Sequence, residues 1–251
     1  MSTTNVVGQV SKPGPEELVK MYETFDGGQS SEIRRQFREG ALTTEHVQAL
    51  IEHRNPFAVQ DKDTGLVSVK TIEDQVREWQ SFYQELGITL DPSGLMIPER
   101  KPGFDRLIVV AKGMTNNRAY DECKKRFSCW KYTNDLDKAV PTNDRDAKDG
   151  TYALWIRDRV EADEELKNQS ADDLTEANIK GITLLERLLY ELKYFTETGK
   201  HLDKKTVTLC SGSRRAGGGV PRADWYRGGL EIRWRYASSR LADLRSRAVS
   251  L

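Results

Sequence analysis

Residues 228–237, GGLEIRWRYA, alternate between apolar and charged side chains, and a period of two over that length fits a half-buried β-strand and no other regular element. Leu230, Ile232, Trp234 and Tyr236 share one side; Glu231, Arg233 and Arg235 share the other. Just upstream, VPRADWYRGG reads as a partner strand in which Val220, Ala223 and Trp225 face a core while Arg222, Asp224 and Tyr226 point outwards. Both runs lie in a segment of unusual composition. Residues 206–251 hold nine arginines and neither lysine nor asparagine, whereas the 205 residues before them use 17 lysines and 13 arginines. Selection for positive charge alone would leave some lysines behind. The segment is therefore read as a folded sheet presenting particular side chains, not as a loose basic arm.

The chain has 251 residues, enough to bury a substantial core. Its formal net charge is zero, so no global field draws it towards nucleic acid or membrane, but the zero hides a split. Nine arginines against Asp224, Glu231 and Asp243 give +6 in residues 206–251, and the remainder carries −6. No apolar run approaches the roughly 18 residues of a membrane-spanning helix, and the polar start MSTTNVVGQVSKPGPEE has no apolar signal core. A soluble, cytoplasmic chain without a membrane partner is the expectation. Cys123, Cys129 and Cys210 are few for a disulfide scaffold and read as reduced and mostly buried. A Cys123/Cys129 disulfide or metal pair is the minority reading. No cofactor or metal site is expected.

Residues 1–15 read as a polar lead-in, followed by short amphipathic helices in PEELVKMYETF, SSEIRRQFRE and TTEHVQALIEH. TIEDQVREWQSFYQELG is clearer, with Val76, Trp79, Phe82, Tyr83 and Leu86 at helical spacing, Thr71 as cap and Gly87 as stop. Three prolines and two glycines in residues 91–103 mark the expected boundary between a helical N-terminal extension, 1–99, and a main domain, 100–251. There, FDRLIVVA and TYALWIRDR read as buried strands, TNNRAYDECKKRF as a helix, and TNDLDKAVPTNDRDAKDG as a long surface loop. TLLERLLYELKYFTETG is the strongest helix, with a Thr183/Glu186 capping box, a stripe of Leu185, Leu188, Leu189, Leu192 and Phe195, and Gly199 as stop. This helix, with Trp155, Trp225 and Trp234, is expected to form the core. Short strands joined by glycine-rich turns complete an α+β chain.

The order strand, helix, strand, long helix, then a terminal set built on TLCSGSR, VPRADWY, LEIRWRY and LRSRAV, resembles a C-type-lectin-like domain with two helices and a small antiparallel sheet. More particularly it resembles the formylglycine-generating-enzyme branch of that fold, as used by variable proteins of diversity-generating retroelements. The resemblance covers roughly residues 100–251 and is most specific from residue 181 onwards. In that family a reverse transcriptase copies a template repeat with errors at adenines, and the copy replaces the 3′ end of the target gene. Template asparagine codons are rewritten to many residues, arginine among them, but seldom to lysine, which would account for the composition. The resemblance implies a noncatalytic ligand-binding protein with a variable region at about 210–247 and a protein as its ligand. Its variable face would hold Arg222, Asp224, Tyr226, Arg227, Arg233, Arg235, Ala237, Ser239, Arg240 and Leu241, joined by loop residues Arg215, Ala216 and Gly218. Glu231 departs from the pattern, because changing the two adenines of an asparagine codon does not yield glutamate.

An arginine-rich nucleic-acid-binding module is the rival reading, since nine arginines interleave with Trp225, Tyr226, Trp234 and Tyr236. Against it, alternation turns Trp225, Trp234 and Tyr236 inwards. For an enzyme, no nucleophile, base and orienting group cluster, and formylglycine-generating enzymes use a cysteine pair where only Cys210 stands. His46, His53 and His201 fall outside the expected face and read as surface or capping residues. The Glu-Pro-Asn or Gln-Pro-Asp and Trp-Asn-Asp ligands of calcium lectins are absent, with Val220-Pro221-Arg222 in their place.

Overall fold

The computed structural model describes residues 71–251 and, before them, two short strands, β1 (Val59–Gln60) and β2 (Val67–Ser68), paired antiparallel. The three helices expected between residues 15 and 53 lie outside the described residues. The chain divides at Lys70/Thr71, and the unit Thr71–Leu251 is described by itself below.

That unit opens with α1 (Ile72–Glu85), for which Thr71 forms a capping box with Asp74. Trp79, Phe82 and Tyr83 are buried, and two of them are tied to the neighbouring strand by their polar tips. The Trp79 indole N–H donates to the Leu107 carbonyl at 3.1 Å, and the Tyr83 hydroxyl donates to the Val109 carbonyl at 2.9 Å. The division expected at residue 100 therefore falls earlier, because α1 belongs to the same core as the first long strand.

β3 (Arg106–Val110), β6 (Tyr152–Ile156) and β12 (Val249–Ser250) form one antiparallel sheet in the order β12-β6-β3. Between the first two come α2 (Asn116–Lys124), β4 (Cys129–Lys131), α3 (Leu136–Ala139) and β5 (Thr142–Asn143). Residues 133–150 are thus not a plain surface loop. Leu136, Val140 and Ala147 are fully buried, and Arg145 makes a two-pronged ion pair with buried Glu186, at 2.6 and 2.9 Å. A short 3-10 turn, Glu164–Leu166, and α4 (Ala171–Glu176) follow.

α5 (Leu184–Thr198) is the central helix and is buried on every side from Leu184 to Lys193. Its Thr183/Glu186 capping box and its left-handed Gly199 cap form as the sequence predicts. Burial all round places charge inside, and it is compensated there. Arg187 pairs with Glu191 and Asp203, each at 2.8 Å, and Arg247 reaches the other Asp203 oxygen at 2.6 Å. The two arginines hold the Asp203 carboxyl below its ordinary range against the opposing effect of burial.

The remaining strands are β7 (Val207–Leu209), β8 (Ser213–Arg214), β9 (Val220–Tyr226), β10 (Gly229–Arg235) and β11 (Leu244–Arg245). A five-stranded sheet runs β11-β7-β9-β10-β4, and β5 pairs with β8. The architecture is α+β, richer than two helices and a small antiparallel sheet. Five helices are described, and the larger sheet has two parallel pairs, β11 with β7 and β10 with β4. All three cysteines are free, so Cys123 and Cys129 do not form the disulfide of the minority reading. Among the described residues no helix is long and apolar enough to cross a membrane.

Candidate ligand-binding face

The β9–β10 hairpin turns through Arg227 and Gly228, both at positive φ (49° and 83°), the backbone of a two-residue primed turn. That turn fixes the register. Trp225 stands opposite Leu230, Ala223 opposite Ile232, and Pro221 opposite Trp234 on the core side, where Leu230, Ala223 and Ile232 are fully buried. On the other side Tyr226 faces Gly229, Asp224 faces Glu231, Arg222 faces Arg233 and Val220 faces Arg235. β4 adds Trp130 beside Glu231, so alternation sets Trp130 on this second side as well.

Like charges therefore stand opposite each other across the hairpin, and the ion pairs run along the strands. Arg222 pairs with Asp224 at 2.7 Å, and the Arg233 Nε donates to Glu231 at 2.7 Å. The Arg222 and Asp224 side chains are only 11% and 10% exposed, contrary to the outward display expected of both. Their strand is central, flanked by β7 and β10, and the two side chains lie along it against each other instead of reaching out. Burial carries the Asp224 carboxyl above its usual range; Arg222 opposes this, while Glu231 and Asp203 add to it. Burial lowers the affinity of Arg222 for its proton, and Arg233 and Arg235 act the same way against Asp224. Arg222 and Arg235 each leave a buried Nε without an acceptor.

The other expected face residues divide by place. Arg227 sits at the hairpin turn with its guanidinium 5.0 Å above the Tyr226 ring. Ala237 packs on the cluster of Ala171, Val207, Leu209, Val220 and Leu244, which lines the same side of the sheet. Ser239, Arg240 and Leu241 continue that loop, but Arg240 is engaged by both Asp173 oxygens, at 2.5 and 2.7 Å. Arg215 is not on this side: it stacks 4.1 Å from the Trp234 ring centre, on the opposite side of the hairpin. Ala216 and Gly218 belong to the exposed turn beside it, and the Ala216 N–H is bound to the Ala139 carbonyl.

No known family, curated protein or solved structure gives a significant match to this chain. The geometry alone carries the reading.

Two aromatic expectations are corrected. Tyr236 lies just past the end of β10 and is 70% exposed, because alternation stops directing a side chain where the ladder ends. Trp225 is partly buried and packs against the main core as expected, whereas Trp234 is only partly buried and lies outside that cluster. Nor is His201 a surface or capping group: it stacks on Trp225 at 3.4 Å between centroids and contacts Glu191 at 3.0 Å. Trp130 escaped sequence reasoning altogether, since three residues, CWK, are too few to show a period.

Proposed function

We propose that this protein is a noncatalytic ligand-binding protein whose hairpin side presents exchangeable side chains on a fixed scaffold, as in variable proteins of diversity-generating retroelements with a C-type-lectin-like fold. A single observation carries this reading. Arg222, Tyr226, Arg233 and Arg235 share one side of β9 and β10, while Ala223, Leu230 and Ile232 between them are locked in the core. Segregation of that kind lets one set of side chains change without disturbing the other. Arginine and tyrosine are also the residues that dominate binding hot spots. A protein ligand suits side chains set out in rows along paired strands, whereas a small molecule takes an enclosed pocket.

Exposed Trp130, Tyr226 and Tyr236 near arginines favour nucleic acid as a second reading. The arginines weaken it, because Arg240, Arg245 and Arg247 are held by Asp173, Glu164 and Asp203. Three of the nine arginines are thereby withdrawn from phosphates. The test of the proposal is genomic. A near-copy of the final coding stretch, differing almost only at template adenines and lying beside a reverse transcriptase gene, is the expected finding. A complete genome without one removes the retroelement reading.

A further inference from the structure

Resting on the reading of this side as a ligand-binding surface, the geometry points to Arg233, set between Trp130 and Glu231, as a preformed fork for a carboxylate. The partner is a protein that presents an Asp or Glu side chain next to an apolar group. Trp130 lies on β4, outside the arginine-rich segment, in register with Glu231. Its neighbours on that strand turn the other way: Cys129 packs against the core, and the Lys131 ammonium sits 4.5 Å above the Tyr120 ring. The Trp130 ring is left 49% exposed. The Arg233 guanidinium lies 5.0 Å over that ring, and its Nε donates to the Glu231 carboxylate at 2.7 Å.

A guanidinium has five donors in a rigid plane. Trp130 fixes the plane and Glu231 occupies the Nε edge, so the two Nη groups are oriented without an acceptor among the described residues, on a side chain that is 44% exposed. Two parallel N–H donors suit the two oxygens of one carboxylate, and their orientation is set before binding. The uncovered part of the Trp130 ring supplies apolar contact beside the fork. Arg222 across the ladder and Arg235 two residues along place further positive charge beside the fork, although Arg222 is itself paired with Asp224 and Arg233 with Glu231. The Asp224/Glu231 row adjoins the fork and opposes any anion, so a single carboxylate is disfavoured less than a polyphosphate chain, which brings several negative charges to the same row.

Selection of a random-peptide library on the full chain, followed by titration of the recovered peptides, tests this. Peptides rich in Asp or Glu beside an apolar residue are expected. Arg233→Lys, which keeps the charge and removes the fork, and Trp130→Ala should each weaken their binding about tenfold, with Trp130→Phe weakening it less. The melting temperature should stay near the wild-type value in all three. Peptides without acidic residues, acidic peptides indifferent to Arg233→Lys and Trp130→Ala, or equal competition by a mixed-sequence DNA oligonucleotide would each overturn the fork. These readouts do not depend on how the gene was written, so a genome lacking the template repeat would leave them standing.

Discussion

Arg227 occupies a backbone conformation that suits it poorly. Among the described residues four non-glycine residues hold a positive φ: Asn168, Asn178, Asp203 and Arg227. The first three are of the types that tolerate it, and a primed two-residue turn prefers Asn-Gly where this chain has Arg-Gly. Arg227→Asn should therefore stabilise the protein by about 1 kcal/mol, and Arg227→Val should destabilise it by a similar amount. Thermal unfolding reads both, and equal midpoints for the two variants would show that the turn is not strained. Asp224 gives a second prediction. Its carboxyl is raised by burial, so stability linked to it is complete below the ordinary carboxylate pKa and is lost as pH rises through the raised value. Asp224→Asn should gain on the wild type in melting temperature as pH rises from below the ordinary carboxylate range through the raised value. A constant difference across that range would contradict the assignment. At this scale the alternation of Arg222, Arg233 and Arg235 was legible from the sequence. The burial of the Arg222 and Asp224 side chains was not, because it depends on β7 lying beside β9.

At the scale of elements, α5 shows both what a sequence discloses and what it withholds. The T-x-x-E cap and the leucine stripe were readable, since they depend on residues three and four apart. The burial of Arg187 and Lys193 was not. Arg187 is answered by Asp203, which lies beyond the helix, and Arg247, far along the chain, binds the same carboxylate. The start of α5 is set by a tight crossing, where Gly181 passes residues 211–212. A Cβ on Gly181 would stand 1.8 Å from the Ser211 Oγ. Gly181→Ala should cost about 1–3 kcal/mol in urea unfolding, and Ser211→Ala added to it should restore part of the loss. If the single variant unfolds like the wild type, the crossing is looser than these distances imply.

For the whole molecule, the boundary was misplaced because prolines and glycines in residues 91–103 resemble a linker, although the helix before them supplies core. A fragment of residues 71–251 should unfold in one cooperative transition. A fragment of residues 100–251 should not, because it loses Trp79, Phe82 and Tyr83 from the core that Leu107 and Val109 share. Calorimetry of the two distinguishes them, and matching transitions would put the boundary back at residue 100. Within the larger unit, the opposition of like charges on the β9–β10 hairpin has a directional effect. Charge is constant from one strand to the other and reverses along each strand, from the Asp224/Glu231 row to the Arg222/Arg233 row. A bound partner shifted sideways, across the strands, meets the same sign again. Shifted lengthwise by two residues, about 7 Å, it meets the opposite one. On the proposed reading the surface is permissive along one axis and selective along the other, so stripes of charge align a partner around the Arg233 fork.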